Sequence, residues 1–290
     1  MLAIFMAVFL VLSEGLFAAA SSRRPSVPSF AIHGKLFQRR SRVHAGASIL
    51  RGLPRRLKDI ETILPKDGGF LLDCCCDHGL LSTYIASSPA FSYSKVIASD
   101  LSPTVCEGLI EKLRRKSESN TNATGASIEV VLGNGFLPFL DKGNPHCSSL
   151  HSSRNAAVVS GVGVSTMLSI TSSLGDCSSG EPGGKANPFD CVVLSPANAR
   201  LRNVARIFND RVFRFLYEAE EIAVSKVKGR HYIALRFSRK AKGEPEEPRY
   251  LSETDVAAIM KENVRDECRD ALNEYLTFNY KWTESDGKFQ

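Results

Sequence analysis

The sequence predicts an α/β fold: a doubly wound, mostly parallel sheet with a C-terminal antiparallel hairpin, followed by a C-terminal helix. Three observations predict it. Apolar runs of strand length alternate with helical segments from Gly46 onward, several of those runs end in an acid or a glycine, and two strand-like runs adjoin near the end.

The elements follow in order. Leu53, Leu57, Ile60 and Leu64 keep helical spacing until Pro65 stops the helix. Gly69–Cys74 is an apolar run closing on Asp73 and Cys74, the pattern of a strand buried on both faces. A helix from about Gly79 to Ser88 comes next, then a strand over Lys95–Ser99 ending in Asp100. The helix from Pro103 to Lys116 has Ser102 as N-cap and proline in its first turn. Strands over Ser127–Leu132 and Ala156–Ser160 run into Gly133-Asn134-Gly135 and Gly161-Val162-Gly163, with a helix beginning near Ser165. Asp190–Leu194 is a fifth strand and Ala199–Phe208 a helix. Arg214–Val224 and Arg230–Phe237 read as two strands of a hairpin joined through Lys226–Gly229. The stretches 142–155 and 172–187, rich in Ser, Gly and Pro, read as surface insertions. One helix is expected from about Ser252 to Leu276, with Val256, Ile259, Met260, Val264 and Cys268 on one stripe, for packing or for flanking RNA.

The chain has 290 residues, 43% hydrophobic and 23% charged, which suits a full core and excludes disordered, collagen-like, coiled-coil and multi-span membrane classes. The net charge of +6 sits mostly at one end. Residues 1–46 carry Arg23, Arg24, Lys35, Arg39, Arg40 and Arg42 against Glu14 alone, so nucleic-acid binding by the body must rest on local patches.

Leu2–Leu12 is an apolar run too short for a comfortable membrane span, and Ala18–Ala20 with Ser21 and Ser22 form a cleavage site. Arg23 to about Gly46 is rich in Arg and Ser and has no acid. A signal peptide followed by a transit-like segment is the pattern of a bipartite leader to an organelle, a plastid of secondary origin first, with the mitochondrion or the secretory pathway as alternatives. Three of the eight cysteines are consecutive in an apolar strand, which favours free thiols in a reducing compartment. The division expected is a leader over 1–46, a body over 47–240 and a helical extension over 241–290, with no stable membrane association once the leader is removed.

The chemistry concentrates in Asp73-Cys74-Cys75-Cys76-Asp77-His78-Gly79, the turn after the first strand of the body, where α/β sheets bind nucleotides. A dinucleotide fold would place G-x-G-x-x-G here to cradle a pyrophosphate, and those glycines are missing, which disfavours a nicotinamide oxidoreductase. Acids at strand ends suit a cationic ligand bearing hydroxyls, as S-adenosylmethionine is. Asp100 is then placed to accept both ribose hydroxyls, its competing role being to cap the next helix. No metal is expected: His146, Cys147 and His151 lack further ligands, and strand alternation sends Cys74 and Cys75 to opposite faces.

These residues resemble the TrmK-type tRNA (adenine-N1)-methyltransferases, whose first motif reads approximately D-I-G-S-D-H. Val96–Asp100 resembles that family's second strand with its ribose-binding acid, Leu132–Gly135 its G-D-G, Val159–Gly163 its A-G-M-G-G and Leu194–Pro196 its Q-P-N. Arg214–Phe237, with Glu220, Glu221, Gly229, Arg230 and Tyr232, resembles its late hairpin. The likeness runs in order from about Gly52 to Ser238. It implies a class I methyltransferase, Rossmann-like sheet, S-adenosyl-L-methionine as cofactor and methylation of N1 of a tRNA adenine, in the family adenine 22 of the D-arm. The cofactor residues implied are Asp73, Cys75, Asp77, His78, Asp100, Leu101, Asn134, Gly135, Ser160 and Gly161, and the catalytic ones Asp77, His78, Ser160 and Ser195.

The reaction expected is a direct displacement at the sulfonium methyl, in which the protein holds the reacting atoms in line. The target base must be unstacked into a pocket, and Asp77 or His78 is placed to take the proton lost afterwards, unless His78 only orients Asp77 or caps the helix. Arg55, Arg56, Arg200, Arg206, Lys228 and Arg230 are candidate RNA contacts, the plain competitor being solvated helix faces. Cys75 stands where the family has glycine, Asn134 where it has aspartate, Val164 where it has a second glycine, and Ser195 and Ala197 where it has Gln and Asn. These departures keep open a catalytically impaired RNA-binding descendant and a methyltransferase with another substrate.

Overall fold

The computed structural model describes residues 43–44, 53–118, 126–140, 154–175, 187–241 and 249–286. The elements in chain order are β1 (Val43–His44), α1 (Arg55–Ile63), β2 (Asp67–Cys74), α2 (Leu80–Ser87), β3 (Ser92–Asp100), α3 (Pro103–Glu118), β4 (Ser127–Leu132), α4 (Leu137–Leu140), β5 (Ala156–Ser160), α5 (Val164–Ser172), β6 (Cys191–Ser195), α6 (Leu201–Phe208), α7 (Arg211–Leu216), β7 (Tyr217–Val227), β8 (Arg230–Arg239), α8 (Glu253–Asn263), a 3-10 turn (Asp266–Cys268) and α9 (Arg269–Asp286).

Among the described residues, eight strands form one sheet in the order β1-β4-β3-β2-β5-β6-β8-β7. Strands β4, β3, β2, β5 and β6 are mutually parallel. β8 runs antiparallel to both β6 and β7. Two-residue β1, inside the expected leader, pairs antiparallel with β4 through Val43 and Ile128. The alternation of strands and helices therefore produces the doubly wound, mostly parallel sheet the sequence predicts, with its antiparallel hairpin at one edge.

The central strands are buried along most of their length, Leu71, Leu72, Val158, Val159, Val192 and Val193 being closed to solvent. Their β-branched and leucine side chains fill both faces, as a sheet covered by helices requires. Phe189 centres a buried aromatic cluster, 5.6 Å from the Phe70 ring and 5.0 Å from that of Phe136. Lys228 (φ 49°) and Gly229 (φ 77°) form the two-residue hairpin loop, and two successive positive φ values match the right-handed twist of the flanking strands.

Three expectations are corrected. Residues 214–216, expected in a strand, complete the short helix α7. Asp210 caps it by accepting from the Val212 N–H at 3.0 Å, and Val212 and Phe213 point together into the core rather than to opposite faces. The single C-terminal helix is in fact α8 and α9 separated at Val264, whose extended backbone bridges to Ile222 of β7. The expected insertions were drawn too wide. Asn155 is buried, its Oδ1 accepting from Phe70 N–H at 3.3 Å and its Nδ2 donating to Pro188 O at 3.0 Å, while Asn187 Nδ2 donates to Tyr217 Oη at 2.8 Å. Residues 141–153, including His146, Cys147 and His151, and residues 176–186 lie outside the described residues, as does the leader apart from Val43–His44. No described helix is long and apolar enough to cross a membrane.

Candidate active site

Strands β4, β3, β2, β5 and β6 all end at the same edge, and the chain reverses its direction of winding between β2 and β5. The crevice at such a switch point is where open α/β sheets take ligands.

The β2–α2 loop is held in a strained form. Cys75 (φ 59°), Asp77 (φ 48°) and Gly79 (φ 63°) are all left-handed, and for the first two that conformation costs roughly 1–2 kcal/mol each. β3 supplies the restraint: Cys76 N–H donates to Ser99 O at 3.1 Å and Asp77 N–H to Asp100 Oδ2 at 3.4 Å. The Cys75 thiol is pushed up to about 11 by burial and by the Asp100 and Asp73 carboxylates, so it stays protonated and is no nucleophile.

Asp100 is the junction of the site. Its Oδ1 accepts from Ser102 N–H at 2.9 Å, and Ser102 Oγ in turn accepts from Val105 N–H at 3.4 Å as the cap of α3. A carboxylate offers about four lone-pair positions, so these two backbone donors leave acceptor capacity for a pair of ligand hydroxyls. Asp100 pairs in register with Leu132, and its carbonyl accepts from Gly133 N–H at 3.0 Å. Around it Leu101, Leu132 and Leu137 are 69%, 54% and 54% exposed, large apolar side chains left in water at a ligand edge. Such surface suits a flat aromatic ring. Asn134 is exposed on the same turn. Gly135 has φ 57°, and a Cβ there would stand 2.8 Å from Ile170 Cγ2.

Across β2, Ser160 and Ser195 are register partners at the ends of β5 and β6. Gly161 N–H donates to Ser195 O at 3.0 Å and Ala197 N–H to Val162 O at 2.9 Å, which ties the two loops into one wall. Ser160 is half-buried and Ser195 buried. The Arg56 guanidinium lies 3.8 Å from where a Cβ on Gly161 would stand, so α1 delivers a cation to this wall.

The structure thus brings Cys75, Asp77, Asp100, Leu101, Asn134 and Gly135 together on one side of the crevice and Ser160, Gly161, Ser195 and Arg56 on the other. Asp73 is set apart. Its carboxylate is buried, accepts from Ser82 Oγ at 2.5 Å, and is pushed up to about 6 by burial, opposed by those Ser82 bonds and aided by Asp100. His78 is exposed, its Nε2 3.7 Å from Asp77 Oδ1, and Lys112 Nζ donates to its carbonyl at 3.0 Å. Arg55 faces Asp59 at 3.8 Å, and Arg206 donates to Ser165 Oγ at 3.3 Å beside the β5–α5 loop. Arg200 precedes α6, where Asn198 Oδ1 accepts from its N–H at 3.2 Å. Lys228 and Arg230 sit at the hairpin tip, about 16 Å past the Leu194–Leu235 pair on the side of the site edge. Leu132, Leu137 and Ser82 were missed by sequence reasoning. A large apolar residue at the last position of a strand, directly before Gly133 and in an otherwise polar turn, was the available signal for the first. Among the described residues, no three His, Cys, Asp or Glu side chains are placed to hold a metal ion.

The comparisons agree with this fold. Residues 53–226 match the family model described as a methyltransferase domain. No curated protein gives a significant match. Among solved structures, Mycoplasma capricolum TrmK with bound S-adenosylhomocysteine superposes with a TM-score of 0.53 at 13% identity, covering 82% of this chain and 86% of that one. A Streptococcus pneumoniae putative tRNA (m1A22) methyltransferase gives 0.53 at 16% identity over the same shares, and its complex with S-adenosyl-L-methionine gives 0.51 at 16%, covering 82% and 89%. At such identities the likeness establishes the fold.

Proposed function

The chain belongs to the methyltransferase domain family, and from that premise we propose that it methylates N1 of an adenine in tRNA, with S-adenosylmethionine as the methyl donor. The observation that carries the donor is the Asp100 carboxylate, half-buried at the end of β3 with acceptor capacity left over and exposed leucines around it. The residues fit that ligand: Asp100 for the ribose diol, Leu101, Leu132 and Leu137 for the adenine, and the left-handed β2–α2 loop for the methionine end. When bound, the donor supplies an electrophilic methyl group. tRNA as acceptor is supported by the Asp77-His78 pair that closes the first motif and by the superposition on a Mycoplasma TrmK and a Streptococcus putative tRNA (m1A22) methyltransferase.

In this reading the chain's own residues position and shield. The joined β5 and β6 loops, with Ser160 and Ser195, form the wall against which an unstacked base rests, and Arg56 beside Gly161 holds a nearby phosphate. His78, exposed next to Asp77, takes the proton that a methylated adenine sheds on returning to neutrality. The leader, residues 1–46, directs the body of residues 47–240 and its extension of residues 241–290 to an organelle, a plastid first, on the strength of its apolar run and acid-free basic segment.

The test is calorimetric titration of S-adenosylmethionine and S-adenosylhomocysteine into the full chain, with Asp100→Asn and Asp100→Ala beside it, followed by methyl transfer to unmodified tRNA and mapping of the product. Binding lost in both variants and 1-methyladenine in the product support the reading. Binding of tRNA without either nucleoside would replace it with the noncatalytic reading that Cys75, Ser195 and Ala197 favour.

A further inference from the structure

A groove of about 580 Å³ separates α6 from the chain leading into α8, lined by Arg202, Asn203, Arg206, Tyr250 and Glu253. The geometry points to this groove as the seat of the single-stranded RNA segment next to the methylated base, an inference that rests on the tRNA reading above.

Two connections make the groove continuous with the site. Arg206 Nη2 donates to Ser165 Oγ at 3.3 Å, at the start of the helix that follows the Ser160–Gly163 turn. Asn203 Nδ2 donates to Asn198 O at 3.5 Å, in the loop that follows Ser195. Both bonds set the groove beside the loops that carry Ser160 and Ser195.

The lining has the chemistry of a nucleotide and divides by wall. Arg202 and Arg206 are one turn apart on α6, so both guanidinium groups face the same way, and neither is in an ion pair among the described residues. They suit successive phosphates of a backbone. Opposite them Tyr250 is 72% exposed, an aromatic face on which a base can stack whatever its identity. Glu253, in the first turn of α8, is an acceptor only, which repels phosphate and takes an amino group on a base edge. Phosphates against α6 and a base against Tyr250 and Glu253 is the arrangement that satisfies all four side chains. An acidic peptide would satisfy the arginines and leave Tyr250 and Glu253 without a role.

The experiment measures affinity of the full chain for unmodified tRNA, for a short oligoadenylate and for polyglutamate across a salt series, with S-adenosylmethionine titrated in parallel. Tyr250→Ala is expected to weaken RNA binding about tenfold and Tyr250→Phe to restore it, because stacking needs the ring and not the hydroxyl. The double variant Arg202→Ala, Arg206→Ala is expected to lower the slope of log K against log salt by about 1.4, the loss of two phosphate contacts on a single strand. Affinity for S-adenosylmethionine stays unchanged in all three, which shows that the fold and the proposed donor site are intact. If the native chain binds tRNA and every variant binds it equally, the groove is wrong and the tRNA reading stands. If the native chain binds the nucleoside donor and no RNA, both fall. Polyglutamate binding that depends on Arg202 and Arg206, with none of oligoadenylate, overturns the inference in favour of an acidic protein partner.

Discussion

The Ser82 hydroxyl donates a 2.5 Å hydrogen bond to the Asp73 carboxylate in a place closed to solvent. This pins the end of β2 to the first turns of α2 and so sets the angle at which the strained loop between them meets the crevice. Burial raises Asp73 to about 6, so the native state holds its proton more tightly than an unfolded chain does.

The sign follows from that. Stabilisation by the protonated form is complete below the unfolded value of about 4 and is lost as pH rises through about 6, so ionised Asp73 costs on the order of 3 kcal/mol at neutral pH. Asp73→Asn is expected to be more stable than the native chain at pH 8 by up to about that amount, with the difference fading below pH 4, as read by urea unfolding at a series of pH values. Its affinity for S-adenosylmethionine is expected to persist, because the carboxylate is sealed beneath the loop. Loss of binding would instead place Asp73 on the ligand.

Cys75 holds φ at 59°, a conformation in which glycine has no Cβ to crowd the backbone. Cys75→Gly removes a strain of roughly 1–2 kcal/mol and adds unfolded-state freedom worth about 0.4–1 kcal/mol, leaving a net gain near 0.5–1 kcal/mol. The variant is expected to melt slightly higher and to bind S-adenosylmethionine more tightly, since the side chain sits half-buried at the loop proposed to take the methionine end. An unchanged affinity would show that Cys75 points clear of the ligand.

Leu132 and Leu101 give a test that stability does not confound. Both are more than half exposed, so replacement by serine is expected to change folding stability by no more than about 0.5 kcal/mol. Each nevertheless loses apolar surface that would cover an adenine ring, and affinity for S-adenosylhomocysteine is expected to fall several-fold. Equal affinity in Leu101→Ser and Leu132→Ser would remove the leucines from the proposed cofactor site.

Much of this was legible because a β-strand buried on both faces writes itself as an unbroken apolar run, as Ala156–Ser160 does, and because glycine marks the strand end, as Gly133 does after the half-buried Ser127–Leu132; both strands cover the residues the sequence indicates. What escaped depended on partners distant in the chain. Arg214, Phe215 and Leu216 adjoin the strand that follows without a break in sequence, and only the Asp210 cap and the shared burial of Val212 and Phe213 make them the end of a helix. Val264 keeps the helical stripe in sequence and leaves it in space to bridge Ile222. Asn155 looks like the tail of a polar insertion until Phe70 and Pro188 are seen bonded to it. In the site, acids at strand ends could be read directly, whereas the burial and the Ser82 bond that set Asp73 apart from Asp100 are recorded by no local pattern.

Asn279 of α9 tests how far the C-terminal extension shapes the acceptor side. Its Oδ1 accepts from Leu201 N–H at 3.0 Å, capping α6 across 78 residues of sequence, where Arg200 supplies no side-chain cap of its own. Asn279→Ala is expected to cost about 1 kcal/mol, as the loss of a helix cap does, and to lower the melting temperature by roughly 2–4 °C. Because α6 follows the Ser195–Arg200 loop, freeing its first turn is expected to raise the KM for tRNA while leaving affinity for S-adenosylmethionine at its native value. Asn279→Asp keeps an acceptor and adds a negative charge at a helix N-terminus, so it should restore both stability and KM. A variant that melts lower yet keeps its native KM would confine Asn279 to holding the extension in place.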